Sequence, residues 1–181
     1  MSHNQGHIFE PELNFCAQSI VMKLKESMSV KQTIDLKNLC LEKPKLRTYV
    51  TFKDFGVTPS YIGMPMPFIC RKFLALTRLS NLSIRIETGR FERPKIDANL
   101  RFCPSCLDGV SIENEFHVIF QCVIYDDLRS IWLRKLKIPE NFAEIDASEK
   151  LKLVLNAPEN IKITAQFIID AFNVRSKIVN K

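Results

Sequence analysis

Four side chains of the kinds that hold borderline-soft metal ions fall within one short stretch. Cys103, Cys106, His117 and Cys122 form the pattern C-x2-C-x10-H-x4-C. Thiolate and imidazole are the ligands zinc prefers, and three Cys with one His is a standard tetrahedral structural set. Cys103-Pro104-Ser105-Cys106 supplies two ligands from a turn whose backbone N–H groups can donate to sulfur. The stretch from Ile112 to Phe120 reads as a helix that carries His117 and leaves Cys122 just past its end, with Glu113 and Glu115 in its first turn. Four protein ligands leave no coordination position for water or substrate, so the expected role of the zinc is to staple the fold.

Other reactive residue types do not assemble into a site. Tyr125-Asp126-Asp127 reads as the start of a helix, where paired carboxylates favour the helix dipole, and it lacks the spacing of a polymerase metal site. No phosphate-binding Gly-rich loop, no GxSxG elbow and no HExxH helix is present. Cys16, Cys40 and Cys70 sit in apolar, helix-like surroundings and are expected as buried free thiols. Trp132 is expected in the core. The reading is therefore of a non-enzyme with no small-molecule substrate.

Charge points to a partner. The formal net charge is +6, and residues 71–101 carry 8 basic and 3 acidic side chains, while the flanks are near balance. The excess lies just before the first metal ligand, as expected for a surface that meets phosphate. Arg85, Arg90, Arg93, Lys95 and Arg101 are the candidate contacts to an RNA or DNA backbone. The rival is a zinc-stapled structural or protein-interaction scaffold, its basic run docking an acidic partner. No secretory signal and no bilayer-spanning apolar run is seen, and unpaired thiols suit a reducing compartment. An intracellular setting, nuclear or cytoplasmic, follows.

The elements that must position these residues are helical. Only 5 Gly stand against 13 Phe, and apolar residues make up 46% of the chain, which favours a packed helical domain over a sandwich of tight hairpins. Residues 1–10, with His3 and His7, read as a flexible tail, and residues 11–181 as one domain containing the knuckle at 101–123. Helix is expected from Pro11 through Leu41, with Leu13, Ala17, Ile20 and Leu24 on one face. A short helix follows from Leu46, ended by Gly56, and another from Phe68 to Leu79 with Phe68, Lys72, Ala75 and Leu79 along one side and Arg71, Lys72 and Arg78 as a basic flank. Ser80 to Leu100 is mostly irregular. Tyr125 to Leu136 is helical, with Leu128, Ile131, Trp132 and Leu136 inward. Asp146 and Glu149 form a capping box for the next helix, and Pro158 opens the last. The fold class is mostly α, an irregular helical bundle with a Cys3His knuckle.

With these parts assembled, residues 44–178 resemble the zinc-binding C-terminal segment that follows the polymerase domain in non-LTR retrotransposon reverse transcriptases. The resemblance is carried by Arg85-Ile86-Glu87-Thr88-Gly89-Arg90, by Cys103-Pro104-Ser105-Cys106, by Glu115-Phe116-His117 with Cys122, and by Tyr125 to Arg129. Val123 stands where many members of that group have Pro. The resemblance implies a knuckle that helps hold template RNA or target DNA, in a chain that lacks the polymerase and is a fragment or remnant of a retroelement.

Overall fold

The computed structural model describes residues 11–43, 46–55, 57–106 and 108–179, and side chains from residue 19 onward except that of residue 47. The tail at 1–10 with its two histidines, the thiol of Cys16, and the helix stop at Gly56 lie outside the described residues. The architecture is mostly α, as the sequence predicts. Among the described residues, paired extended backbone is confined to one antiparallel bridge between Phe102 and Ile112.

Seven α-helices are used below: α1 (Pro11–Leu41), α2 (Arg47–Phe52), α3 (Phe68–Arg78), α4 (Arg85–Thr88), α5 (Asp126–Lys135), α6 (Ala147–Leu155) and α7 (Pro158–Val179). α7 is the spine, with α3, α5 and α6 packed against it and α2 wedged between α1, α3 and α6. Ile161, Ala165, Ile168 and Ala171 recur at helical spacing along α7 and are all buried. Trp132 lies in the core, stacked on Phe167 with ring centroids 4.5 Å apart, and its indole N–H donates to Thr164 Oγ1 at 3.3 Å. Asp146 caps α6 by accepting from the backbone N–H groups of Ser148 and Glu149, the expected N-terminal half of a capping box.

Apart from the single turn of α4, which falls in the stretch expected to be mostly irregular, the helices occur where their periodicity predicts, but several present a different face. On α3 the buried stripe is Cys70, Leu74 and Thr77, and Phe68 is 80% exposed. This helix is apolar on two sides, so the α7 contact and not the pattern selects the inner one. Arg78, expected on a basic flank, is 2% exposed. It lies over the rings of Phe52 and Tyr61 and donates to the carbonyl of Leu155 and to Asn156 Oδ1 at 2.5 and 2.7 Å. Burial pulls its pKa below the usual arginine value. On α5, Ile131 is turned outward and Arg129 is buried in its place. Along α1, Ile20, Leu24 and Ile34 are all more than half exposed, because the chief neighbour of this helix is the short α2.

Candidate metal centre

The knuckle is built on the bridge between Phe102 and Ile112. Cys103 N–H donates to Ser111 C=O at 2.8 Å, and Glu113 N–H donates to Arg101 C=O at 3.0 Å. These bonds consume Ile112 as extended backbone, so the helix expected from Ile112 begins later, at Glu115. The connecting loop turns at Gly109, whose φ of +68° is left-handed and suits a residue without Cβ. Asp108 Oδ1 accepts from the N–H groups of Val110 and Ser111, and the Ser111 hydroxyl, followed by these two N–H groups, holds its carboxyl down at about 2.

His117 and Cys122 come from a turn of unusual width. Residues His117–Gln121 form a π-helix, with Cys122 N–H donating to His117 C=O at 2.8 Å. At roughly 100° per residue, positions five apart on an α-helix would lie about 140° apart around the axis and could not face one ion. The i→i+5 turn takes up the extra residue and brings both ligands to the same side. Asn114 Oδ1 accepts from His117 N–H at 2.8 Å, which caps the first turn of this segment.

The four ligand atoms converge. All lie within 4.8 Å of one another, with Cys103 Sγ 3.9 Å from Cys122 Sγ and Cys106 Sγ 3.6 Å from His117 Nε2. Cys103, His117 and Cys122 are buried, and Cys106 is half-buried. The sulfurs are held unequally in charge. The Cys122 thiol, followed by His117 and by the backbone N–H groups of Cys106 and Ser105, hydrogen-bonds to Cys103 and brings its pKa down to about 3. Cys122 is pushed up by that same bond and by burial, and Cys106 is pushed up by burial. The N–H of Ile124 donates to Cys122 and that of Asp108 to Cys106, so each sulfur has backbone donors of its own. A divalent cation among them reverses the upward push, since a coordinated thiol is deprotonated outright. The sulfur-rich donor set and its spacing fit one metal ion.

Buried ionic groups anchor the site to the bundle. Arg129 donates from Nε to Ile119 C=O at 3.0 Å and from Nη2 to Cys122 C=O at 2.7 Å, and pairs with Asp126. Glu113 is fully buried and does not serve the helix dipole. It accepts a two-pronged pair from Arg175 of α7 at 2.7 and 2.9 Å, and a third bond from Arg85 N–H at 2.5 Å. Burial alone would lower the Arg175 pKa, but the hydrogen bond and charge of Glu113 hold it above its usual value. The sequence reading had Arg129 only as part of the resemblance, with no role, and gave none to Asn114 or Arg175. The Asn three residues before His117 was a legible cap signal, whereas nothing local marks Arg175 as a partner of Glu113.

The candidate phosphate contacts separate into three kinds. Arg93 and Lys95 are exposed. Arg85 is paired with Glu92, and Arg90 Nη2 donates to Glu87 Oε1 at 3.1 Å. Arg101 is a correction to the surface role expected for it. It is 5% exposed and donates to Ile86 C=O at 2.6 Å and twice to Ile96 C=O, at 3.0 and 2.7 Å. Its stem runs over Gly89, where an added Cβ would meet Arg101 Cγ and Cδ at 2.9 Å. Among the described residues no helix is long and apolar enough to cross a membrane. Comparison with protein-family models, with curated proteins and with solved structures returned no match.

Proposed function

We propose that this chain is a non-catalytic, zinc-stapled helical module that contacts the phosphate backbone of RNA or DNA, and that it descends from the C-terminal segment of a non-LTR retrotransposon reverse transcriptase. The observation that carries the metal reading is the ligand spacing. Zinc–sulfur bonds of about 2.3 Å and a zinc–nitrogen bond of about 2.0 Å at tetrahedral angles put sulfur about 3.8 Å from sulfur and about 3.5 Å from nitrogen. The Cys103–Cys122 and Cys106–His117 separations are 3.9 and 3.6 Å, and every pair of the four lies within 4.8 Å. Bound there, zinc would supply cross-linking of the turn to the π-helix, and four protein ligands would close its tetrahedral shell.

The retroelement reading is supported by where the resembling residues sit. Gly89 makes room for Arg101, Arg129 holds the carbonyl of Cys122, and the four ligands form the knuckle. The nucleic-acid reading is supported by the exposed Arg93 and Lys95 next to it. Elemental analysis of purified wild type and of Cys103→Ser tests the metal: one zinc per chain is expected in the first and none in the second. A gel-shift series with single-stranded RNA and DNA tests the partner, with affinity expected to fall steeply with salt.

The scaffold reading is favoured by one specific feature. α1 carries Met22, Leu24, Met28 and Leu41 with more than half of their surface exposed. Zinc binding without any oligonucleotide binding at low salt would select that reading over the first.

A further inference from the structure

α1 carries more apolar surface than the rest of the chain covers. It meets the body chiefly through α2. From Ser19 to Leu41 every side chain is exposed except Ser19, Thr33 and Cys40. At roughly 100° per residue these three share one side of the helix. Ile20, Leu24, Met28, Val30, Ile34 and Leu41 fall on the opposite side, each more than half exposed. Val21 and Leu39 border that stripe, while Met22 and Leu36 lie outside it. On the order of 800 Å² of apolar side chain faces water there, more than a monomer leaves in one patch and equal to one partner's share of a stable complex.

Charge selects the occupant. Lys31 and Asp35, both exposed, are the charged residues nearest the middle of the stripe. They are opposite in sign and one helical turn apart. A two-fold axis near residue 33 sets Lys31 of one copy against Asp35 of its partner, twice, as a self-complementary interface requires. The same register brings Leu24 of each copy beside Leu41 of the other. A parallel copy would instead stack Lys31 on Lys31 and Asp35 on Asp35. A lipid surface fits poorly, because interfacial helices keep charge off their apolar face and an acid there meets anionic headgroups. We propose that α1 is a homodimer interface, on which a second copy of this chain packs antiparallel with Lys31 paired to Asp35 across the two-fold axis. This goes beyond the metal and phosphate readings and depends on neither.

The test is sedimentation equilibrium of the full chain over a range of concentrations. Wild type should associate as a dimer. Lys31→Asp leaves two acids at the axis and Asp35→Lys leaves two bases, so either variant alone should dimerise on the order of tenfold more weakly. An equimolar mixture of the two restores both cross-pairs and should associate as tightly as wild type. Ile34→Asn, which removes apolar surface and no charge, should also weaken the dimer. Near-ultraviolet circular dichroism of the buried Trp132, which lies on α5 and not on α1, reports that each variant keeps its core. A wild type that stays monomeric, single variants that dimerise like wild type, or a mixture no tighter than its components would each overturn the proposal. So would binding of wild type to anionic vesicles in preference to its own copies.

Discussion

The backbone N–H of Cys122 bonds to the carbonyl of His117, five residues earlier, at 2.8 Å. That single wide turn lets a His-x4-Cys spacing address one ion. The spacing is thus a structural requirement and not a tolerance.

Insertion of an alanine after Gln121, which is exposed, sets the His and Cys six apart, about 120° round an α-helix and beyond what one wide turn takes up, and removes nothing that is buried. Cys122 then swings away from the other three ligands. Metal affinity is expected to fall by at least about 100-fold, the scale on which even outer groups tune such sites. Competition with a chromogenic chelator measures it, and Gln121→Ala serves as the control that should bind normally.

Arg129 supplies the bonds that hold the turn shut from outside. Arg129→Met leaves the carbonyls of Ile119 and Cys122 without their charged donor. A loss of about 1–3 kcal/mol in folding stability is expected from the stranded Ile119 carbonyl, that of Cys122 keeping the Tyr125 N–H at 3.1 Å, with metal affinity about 10- to 100-fold weaker. Urea unfolding of the metal-loaded protein and chelator competition report the two effects separately.

Glu113→Gln strands Arg175 in the interior, since the pair is two-pronged and Glu113 is fully buried. Breaking a buried pair from one side costs about 3–5 kcal/mol. Replacing both partners, as Glu113→Gln with Arg175→Met, should recover part of that loss. Thermal unfolding of the three proteins checks the prediction, and additive losses would contradict it.

Arg101 and the pair Arg93 and Lys95 should behave oppositely. Arg101→Ala removes donors from the carbonyls of Ile86 and Ile96 and is expected to lower the melting temperature. Arg93→Gln with Lys95→Gln should leave it unchanged and flatten the salt dependence of oligonucleotide binding by about 1.5 in the log–log slope. Differential scanning calorimetry beside salt-titrated gel shifts distinguishes them.

Chelation should unfold the knuckle first. The Phe102–Ile112 bridge and the Asn114 cap are small structures on their own, so metal removal is expected to expose the segment 101–123 while α3, α6 and α7 stay protected. Hydrogen exchange with and without chelator reads this directly.

Much of the site was legible because its chemistry is local. Two cysteines three apart in a turn, and a histidine and cysteine five apart, identify a metal set from residue type and spacing alone. The helices were legible for the same reason, since amphipathic period and capping residues such as Asp146 act within a few positions. Which face each helix buries was not. α3 offers two apolar sides, and only contact with α7 selects Cys70 and Leu74 over Phe68.

Formal charge is the clearest division between the two levels. The sequence alone counts a basic excess at residues 71–101 and places it beside the knuckle. Tertiary structure spends Arg78 and Arg101 inside on backbone carbonyls, pairs Arg85 and Arg90 with nearby acids, and leaves Arg93 and Lys95 free at the surface. A guanidinium is long enough to reach acceptors from elements far away in the chain, such as Leu155 for Arg78. Its destination therefore depends on which carbonyls the packed helices leave unpaired, and no local pattern encodes that.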